Sequence, residues 1–332
     1  MIAAISPEEF RTYCIYGLTL VSDFSFASRL LAGSGPPDVT FTCAVAPPIS
    51  GDGPPPAPVY VSRFRTARGE SNCSFHRCAG FDLLRFPDVA DFYFVADRIL
   101  GRPVDPDDLG SVEIHLLGTV LSCWLERAGV PCLHASATVA GGGAVGFLTF
   151  NGGGKSTLAA ALAEVGCPIL TDDVLAVRMD GTLAQPAYPQ VRLWPSEAAH
   201  FLGPDSRFPR VDPRIPKMRV PMGPGGLGSF AAAEAPLRCI YVPERRPPGE
   251  GGNGIDIQPI RPRDAVIELL RHSFIGPLAE AACGRERRLD QLARLAARVP
   301  LRRLIYPDGL EHLPHVVETV LADLEERPGA GP

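Results

Sequence analysis

The sequence has no excess of basic residues, no closely paired cysteines and no long apolar run, and each of these absences argues against a class of protein. The net charge is −5 over 332 residues, so a protein that binds nucleic acid through a basic surface is not indicated. The nine cysteines are scattered, and no two of them form a CxxC pair. Neither a disulfide framework nor a zinc ribbon is therefore indicated.

Segments that would direct a chain to a membrane are also missing. The stretch MIAAISPEEFRTYC has no basic region followed by an apolar core, which a secretory signal would have. No uncharged apolar stretch approaches the length that spans a bilayer. From these features and the scattered cysteines we expect a cytoplasmic protein with reduced thiols and no membrane or nucleic-acid partner.

The pattern of the chain changes near residue 105. Before it, short strand-like segments such as YGLTLVS, DVTFTC, FDLLRF and DFYFVA alternate with turns, and GRPVDPDD (101–108) then reads as a boundary. The chain has 45 % apolar residues, enough for two cores. We predict a smaller β-rich α+β N-terminal domain over 1–105, a second domain over 106–326 and a disordered tail over 327–332.

Strands and helices alternate in the second part. Helical spacing predicts helices over 110–129, 155–165, 263–272, 285–298 and 314–325. Strand-like runs occupy 132–140, 144–150, 168–173, 174–179, 237–244 and 254–260. This alternation predicts an α/β domain in which helices pack on a mixed sheet.

A glycine-rich loop, TFNGGGKS (149–156), joins one of these strands to a helix. Backbone N–H groups of such a turn hold phosphate oxygens, its lysine reaches the β- and γ-phosphates, and the next hydroxyl binds Mg²⁺. Threonine stands at 149, where the common pattern has glycine, but the glycines next to the lysine are intact. The predicted nucleotide-binding residues are Thr149, Asn151, Gly152, Gly153, Gly154, Lys155, Ser156 and Thr157.

Two carboxylates close the next short apolar strand, in the sequence Thr171-Asp172-Asp173. Side chains at the carboxyl end of a strand in an α/β sheet point into the crevice where ligands bind. One carboxylate can then help hold Mg²⁺, and the other can take the proton of an attacking hydroxyl. A surface turn or a helix N-cap is the alternative interpretation of this pair.

These segments resemble the catalytic domain of HPr kinase/phosphorylase. CLHASATVA, NGGGKSTLAAAL and GCPILTDD carry the resemblance, with His134 placed 21 positions before Lys155 and Asp173 placed 18 after it. The likeness extends to bacterial HPr-kinase-like proteins, some of them encoded beside lasso-peptide biosynthesis genes. It is strong over about 131–195 and general elsewhere.

The resemblance implies an α/β fold with a P-loop kinase domain of the HPr-kinase/PEP-carboxykinase type. It implies that Asp173, His134 and Lys155 are catalytic, with Asp173 as the general base. It also implies that Ser156 and Asp172 hold the metal, and that ATP and Mg²⁺ are the cofactors.

The resemblance further implies a serine kinase that acts on a peptide or small protein, such as a ribosomal lasso precursor peptide, and that forms a homo-oligomer. HPr itself fits less well as the acceptor, because Thr157 stands where the family usually has glutamate and the family's downstream glutamate-and-glycine signature is missing. The N-terminal domain, by its position, is a candidate for recognising the acceptor or for mediating assembly.

A basic segment punctuated by proline, RFPRVDPRIPKMRVP (207–221), offers further positive charge for the transferring phosphoryl group. Lys217 and Arg219, together with Arg214, are the candidates for this phosphate contact, on a mobile loop that closes over ATP. A solvated basic loop is the alternative. Glu197 reads equally as a metal ligand and as a residue of a helix N-terminus. The pairs Arg287-Arg288 and Arg302-Arg303 read as solvated faces.

Two other functions stay open. A small-molecule kinase or a PEP-carboxykinase-like enzyme would use the same loop, although a carboxykinase needs extra metal ligands and an arginine for the substrate carboxylate that the sequence does not offer. A non-catalytic nucleotide-binding regulator would explain Thr149 as decay. The intact Lys155 and Ser156 and both aspartates favour an enzyme.

Overall fold

The computed structural model describes residues 10–43, 55–212, 215–247 and 254–326. The chain divides into two compact units, the first made of residues 1–127 and 277–285 and the second of residues 128–276 and 286–332. The architecture is mixed α/β with several sheets. The predicted tail, 327–332, lies outside the described residues.

A single sheet organises the first unit. In the described part of the chain it has nine strands, in the order β3-β1-β2-β4-β9-β8-β7-β6-β5. Their bounds are β1 (Arg11–Ile15), β2 (Leu18–Ser22), β3 (Leu31–Ala32), β4 (Val39–Cys43), β5 (Tyr60–Val61), β6 (Ser74–Cys78), β7 (Phe81–Phe86), β8 (Ala90–Val95) and β9 (Arg98–Pro103). β4 runs parallel to both β2 and β9, and the other pairs are antiparallel.

The helix predicted over 110–129 is present, but it is interrupted. α1 (Leu109–His115) and α2 (Leu121–Ala128) are joined by a π-helical turn, Leu116–Val120. Tertiary contacts tie this helical segment to the first unit: the Glu113 carboxylate accepts hydrogen bonds from the backbone N–H groups of Ala27 and Ser28, at 2.6 and 2.9 Å. For this reason the first unit continues to residue 127, whereas the sequence pattern places a boundary at 105.

A mixed sheet forms the centre of the second unit. In the described residues its strands are β10 (Cys132–Leu133), β11 (Ala135–Ala140), β12 (Gly143–Leu148), β13 (Ile169–Thr171), β14 (Leu175–Arg178), β15 (Leu183–Ala184), β19 (Ala235–Arg246), β20 (Asp256–Pro259) and β21 (Leu301–Pro307). β12, β19 and β21 run parallel, and antiparallel strands flank them. The predicted strand over 132–140 is two strands, because it breaks at His134.

Helices cover this sheet. The helices predicted over 155–165, 263–272, 285–298 and 314–325 are observed within one residue of those bounds, whereas the helices over 195–202 and 276–283 were not predicted. The helices are α3 (Lys155–Glu164), α4 (Pro195–Leu202), α5 (Pro262–Arg271), α7 (Arg285–Arg298) and α8 (Leu313–Glu325), with a short 3₁₀ turn at Leu310–His312, while α6 (Gly276–Cys283) clusters mainly with the first unit. α3 is rich in alanine and leucine and is buried on almost all sides. No helix in the described ranges is both long and apolar enough to cross a membrane.

A small third sheet corrects the prediction of a mobile loop over 207–221. β16 (Gln190–Leu193), β17 (Arg210–Asp212) and β18 (Ile215–Pro221) form it, in the order β16-β18-β17. The prolines obscure a period-two pattern: Val220 is fully buried and Met218 packs on the same core, while Lys217 and Arg219 alternate with them. Arg214 lies outside the described residues.

The interpretation of Arg288 and Arg302 as parts of solvated faces is also wrong. Arg288 is 1 % exposed. The Arg302 side chain is buried too and pairs with the Asp323 carboxylate at 2.5 Å. The Tyr241 hydroxyl donates to the same carboxylate at 2.6 Å. A buried guanidinium needs such a partner, and sequence spacing alone does not reveal it.

Two leucines on α7 allow a matched test of the core. Leu292 is fully buried in the cluster that packs under the sheet, whereas Leu289, one turn earlier, is 47 % exposed. We expect Leu292→Ala to lower the free energy of unfolding by about 3–5 kcal/mol, because it leaves a cavity. Leu289→Ala should change it by no more than about 0.5 kcal/mol. Urea unfolding followed by circular dichroism measures both, and equal losses would contradict this assignment of the core.

Candidate active site

The glycine loop lies between the end of β12, at Leu148, and the start of α3, at Lys155. Gly152 and Gly154 have φ angles of 80° and 89°, in a region that favours glycine. Gly154 is the N-cap of α3 and contributes no capping side chain. The first N–H groups of the helix therefore lack a side-chain cap, which is the arrangement that binds anions at helix N-termini.

Thr149 packs inside the turn of the loop. A Cβ atom placed on Gly153 would lie 2.2 Å from the Thr149 Oγ1 atom, so the threonine occupies the space that a side chain at 153 would need. A small cavity adjoins the loop, and the residues that line it are Gly152, Gly154, Lys155, Ser156, Thr157, Trp194, Glu197 and Lys217. Thr149 is not among them, so its side chain does not obstruct this cavity.

Three predicted catalytic residues meet beside the loop. The Lys155 Nζ atom lies 2.9 Å from His134 Nε2. On the other side of the imidazole, Nδ1 lies 3.3 Å from the Asp173 carboxylate and 3.2 Å from the Asp173 carbonyl oxygen. The break between β10 and β11 places His134 here, and the His134 N–H donates to the His272 carbonyl at 2.7 Å.

The surroundings of His134 favour its neutral form. Burial lowers the pKa of its imidazole, against the opposing effect of Asp173, and so favours the neutral ring. In a neutral ring, Nδ1–H donates to Asp173 and Nε2 accepts from Lys155. The Asn151 amide oxygen, 2.9 Å from Nε2, would accept from that nitrogen only in the other tautomer. Burial also lowers the pKa of the Lys155 ammonium group.

Asp172 faces the loop serine and is buried. Its Oδ1 accepts hydrogen bonds from the hydroxyls of Ser156 and Ser136, at 2.8 and 2.5 Å, and its Oδ2 accepts from the backbone N–H of Arg192 at 2.8 Å. A carboxylate beside a loop hydroxyl suits Mg²⁺, which takes one or two protein carboxylates and completes its shell with phosphate oxygens and water. The described residues hold no cluster of three or more histidine, cysteine or acidic side chains that could bind a metal ion.

Asp173 has an unusual backbone and a charged partner. Its φ angle is 80°, a conformation that is uncommon for a residue other than glycine and that concentrates at functional sites. The Arg192 guanidinium donates to its Oδ2 atom at 2.7 Å and to the Tyr188 hydroxyl at 3.2 Å. Burial raises the pKa of the Asp173 carboxyl, but the Arg192 guanidinium, with the His134 imidazole and the Lys155 ammonium group, outweighs burial and holds that pKa below its ordinary value.

Sequence reasoning missed Arg192, which stands in the segment AYPQVRLWP without an assigned role. The sequence did contain an indication, because Arg192 stands between two apolar residues, Val191 and Leu193. In β16 both of these are fully buried. An arginine within a buried strand needs a partner of opposite charge nearby. The sequence could not say that this partner is Asp173, because the contact joins β16 of the third sheet to a residue that follows β13 of the central sheet.

A second group of residues faces the loop from α4 and β18. The Thr157 hydroxyl donates to the Glu197 carboxylate at 2.7 Å, and the Trp194 backbone N–H donates to the same carboxylate at 2.8 Å. Lys217 Nζ lies 5.6 Å from the centroid of the Trp194 ring. Of the two predicted cations, Lys217 lines the cavity, whereas Arg219 donates to the Val211 carbonyl and does not line it.

Arg245 contacts the outer side of the loop. The sequence analysis gave this residue no role. Its guanidinium donates to the Gly152 carbonyl at 2.5 Å and to the Asp308 carboxylate at 2.9 Å. Arg245 belongs to β19, and Asp308 directly follows β21. The ends of two neighbouring parallel strands thus hold the carbonyl of Gly152 on the outer side of the turn.

A larger cavity, of about 420 Å³, lies between β20 and α5 and shares no lining residue with the cavity at the loop. Its charged side chains pair with one another: Arg261 with Asp264 at 2.8 Å, and Glu268 with Arg271 and Arg303 at 3.8 and 3.7 Å. The predicted nucleotide-binding residues from Gly152 to Thr157, Gly153 excepted, line the smaller cavity and none of them lines the larger one, so the smaller cavity is the candidate site.

Comparison with known proteins finds only a distant relationship. No family model matches the chain, and no curated protein matches it. Among solved structures, the chain is similar to the HPr(Ser) kinase/phosphatase from Coxiella burnetii, with 11 % sequence identity, a TM-score of 0.28, and coverage of 59 % of this chain and 98 % of that one. The roles of the site residues therefore rest on their own contacts.

The contact between Thr149 and Gly153 makes a prediction about the loop. Gly153→Ala should lower the free energy of unfolding by about 1–3 kcal/mol, since the new methyl group overlaps the threonine. Adding Thr149→Gly removes the obstructing atoms, so the double variant should recover most of that loss. Urea denaturation of the two single variants and the double variant gives the coupling energy.

A suitable control is Gly276→Ala, where the nearest atom to an added Cβ is 3.5 Å away. Strictly additive costs at positions 149 and 153 would show that the two residues do not compete for this space.

Proposed function

We propose that this protein is an ATP- and Mg²⁺-dependent kinase that transfers a phosphoryl group to a hydroxyl, with a catalytic domain of the P-loop, HPr-kinase/PEP-carboxykinase type. One observation carries the proposal: Lys155, His134 and Asp173 meet through contacts of 2.9 and 3.3 Å beside an uncapped glycine loop. A phosphate held by the loop would thereby lie near a carboxylate that can receive a hydroxyl proton.

The loop and Lys155 would hold the phosphates. The backbone N–H groups that follow Gly154 can donate hydrogen bonds to an anion, and the lysine ammonium would contact the β- and γ-phosphates. Ser156 and Asp172 are the residues that would hold Mg²⁺, because hydroxyl and carboxylate oxygens already meet there at 2.8 Å. When bound, Mg²⁺ would neutralise part of the negative charge that develops on the phosphate oxygens.

Asp173 would orient the acceptor hydroxyl and accept its proton. Arg192 bonds to one of its oxygens and His134 lies beside the other, so the carboxylate is held in place while each oxygen keeps a second lone pair. A lowered pKa makes Asp173 a modest base. Such a base suffices for phosphoryl transfer through a loose transition state, in which positioning and charge stabilisation dominate.

Positive charge surrounds the position of transfer. Lys155, Arg192 and Lys217 all interact electrostatically with Asp173. Because these charges are held in place before the reaction, they can stabilise the negative charge that spreads over the transferring group. Neutral His134 adds no charge of its own and serves to position Asp173 and Lys155.

The acceptor that we favour is a serine on a peptide or small protein, a lasso-type precursor peptide included, because the resemblance of the loop and aspartate segments points there. A carboxykinase-like reaction is less well supported. It needs an arginine for the substrate carboxylate, and Arg192 is already engaged with Asp173 and Tyr188. A purely regulatory role would leave the buried arrangement of Lys155, His134 and Asp173 without a purpose.

Asp173→Asn tests the assignment of the base. The amide keeps the shape of the side chain but accepts protons poorly, so we expect phosphoryl transfer to fall by about 10²–10⁴-fold. The affinity for ATP should stay within about threefold, because the loop is unchanged. Transfer from γ-labelled ATP to candidate serine peptides in the presence of Mg²⁺ measures the first quantity, and calorimetry measures the second.

The control for that experiment is Asp180→Asn, in an exposed turn of the same unit. Normal transfer by Asp173→Asn would show that this carboxylate is not the base. A loss of ATP binding in proportion to the loss of transfer would show that Asp173 acts in binding instead.

Arg192 should control the pH dependence of transfer. Asp173 is active when ionised, and Arg192 is the largest of the charges that hold its pKa below the ordinary value. In the wild type the acid limb due to this group therefore lies below the ordinary pH range of an aspartate. Arg192→Gln raises the pKa of Asp173 and should move that limb upward, so that the rate at about pH 5 falls relative to the rate at about pH 8.

Arg178→Gln is the matched control, because Arg178 pairs at the surface with Glu234. Protonation of ATP affects all three proteins equally and cancels in the comparison. Rate profiles of the same shape for Arg192→Gln and the wild type would mean that Arg192 does not set the basicity of Asp173.

A further inference from the structure

The cavity at the loop has a second wall, and phosphate binding alone does not account for all the side chains in it. Trp194, Glu197 and Lys217 line it opposite the loop residues. Lys217 offers a charge that a phosphate could use. The indole and the carboxylate offer chemistry that a phosphate does not need.

Trp194 is 37 % exposed and lines the cavity. Pro195 and Ser196, which follow it, are exposed as well, whereas Val191 and Leu193 before it are fully buried in one hydrophobic cluster. Lys217 lies over the indole at 5.6 Å, close enough for a cation–π contact. An aromatic ring that is available at the mouth of a phosphate site is a stacking platform for a nucleobase.

Glu197 is held in place beside the first turn of α3. Its carboxylate accepts from Thr157 Oγ1 and from the Trp194 N–H at 2.7 and 2.8 Å, so both of its oxygens are oriented. A negative charge at this position would repel a phosphate but would attract neutral hydroxyl donors. Carboxylates that accept hydrogen bonds from ribose hydroxyls are a common solution in nucleotide sites.

We propose that Trp194 and Glu197 form the nucleoside subsite of this cavity. The indole stacks on the base of a nucleoside triphosphate, and the Glu197 carboxylate accepts hydrogen bonds from its ribose hydroxyls. This subsite rests on the proposed function, because it presumes that the loop holds the triphosphate. Lys217 keeps its place on one face of the indole and adds positive charge toward the phosphates.

The arrangement along α3 supports this order of subsites. Ser156 is the residue that contacts Asp172 and would hold the metal, and Thr157, one residue further along, contacts Glu197. The nucleoside end of the ligand would therefore leave the loop on the side of α4, where Trp194 and Glu197 stand one helical turn apart. No other large aromatic side chain lines this cavity among the described residues.

Trp194→Ala tests the binding of the base separately from the binding of the phosphates. We expect the affinity of the full-length protein for ATP with Mg²⁺ to fall by about five- to a hundredfold, while its affinity for tripolyphosphate, which has no base, stays within about twofold. Trp194→Phe keeps an aromatic ring and should keep most of the ATP affinity. Calorimetry measures all four combinations, and circular dichroism checks that both variants fold.

The second tryptophan provides the control and an optical signal. Trp124 stacks on Phe94 in the first unit, so Trp124→Phe should bind ATP like the wild type. In that variant Trp194 is the only tryptophan, because the sequence contains two. ATP should then quench its fluorescence, and tripolyphosphate should not.

Glu197→Gln tests the contact with the sugar. It should weaken ATP by about three- to tenfold and leave 2′,3′-dideoxy-ATP unchanged, because that analogue lacks the hydroxyls. Equal weakening of both nucleotides, only when Mg²⁺ is present, would make Glu197 a metal ligand and overturn its assignment to ribose.

The remaining outcomes are also decisive. If Trp194→Ala weakens ATP and tripolyphosphate equally, the indole supports the loop and binds no base; if it weakens neither, the subsite does not exist. A wild-type protein that binds tripolyphosphate but not ATP would also refute the subsite and leave the loop intact. A wild-type protein that binds neither ligand would remove the proposed function itself, and the subsite with it.

Discussion

The largely buried carboxylate of Asp173 is the constraint on which the rest of the site depends. A carboxylate removed from water is costly unless opposite charge and hydrogen-bond donors surround it. Arg192 meets that need at 2.7 Å, and His134 and Lys155 add to it from the other side. The same compensation keeps the carboxylate ionised and positions it beside the loop, where the role that we propose for it requires it to be.

The loop is shaped by packing as much as by its glycines. Thr149 fills the space beside Gly153 from within, and Arg245 holds the Gly152 carbonyl from outside. A threonine at the first position therefore need not indicate decay, since its side chain lies away from the lining of the cavity. Three parts of the structure would then form the nucleotide site that we propose. They are the loop itself, the strand ends that hold it, and the cavity wall that contains Trp194 and Glu197.

Local patterns predicted the elements that local physics forms. The helix over 155–165 is observed as Lys155–Glu164, and the helices over 285–298 and 314–325 are observed within one residue of their predicted bounds. The prediction of a loop over 207–221 is wrong, because the prolines conceal two strands: Ile215–Pro221 pairs with Gln190–Leu193, and Arg210–Asp212 pairs with Ile215–Pro221. The sequence did not predict the break at His134 either, because it too depends on strand pairing: β10 pairs with β14, whereas β11 pairs with β12.

By itself, the sequence determined a strand, a glycine turn and a helix at 144–165, and it singled out His134, Lys155, Asp172 and Asp173 as candidate site residues. Periodicity, glycine conformations and helix ends are set by neighbours in the chain, which is why they could be predicted. Only the tertiary structure decided that Arg192 neutralises Asp173, that Arg245 holds the loop, and that Trp194 faces it. Those contacts join residues from 19 to 93 positions apart, and the free energy that selects such partners comes from burying charge in a folded interior.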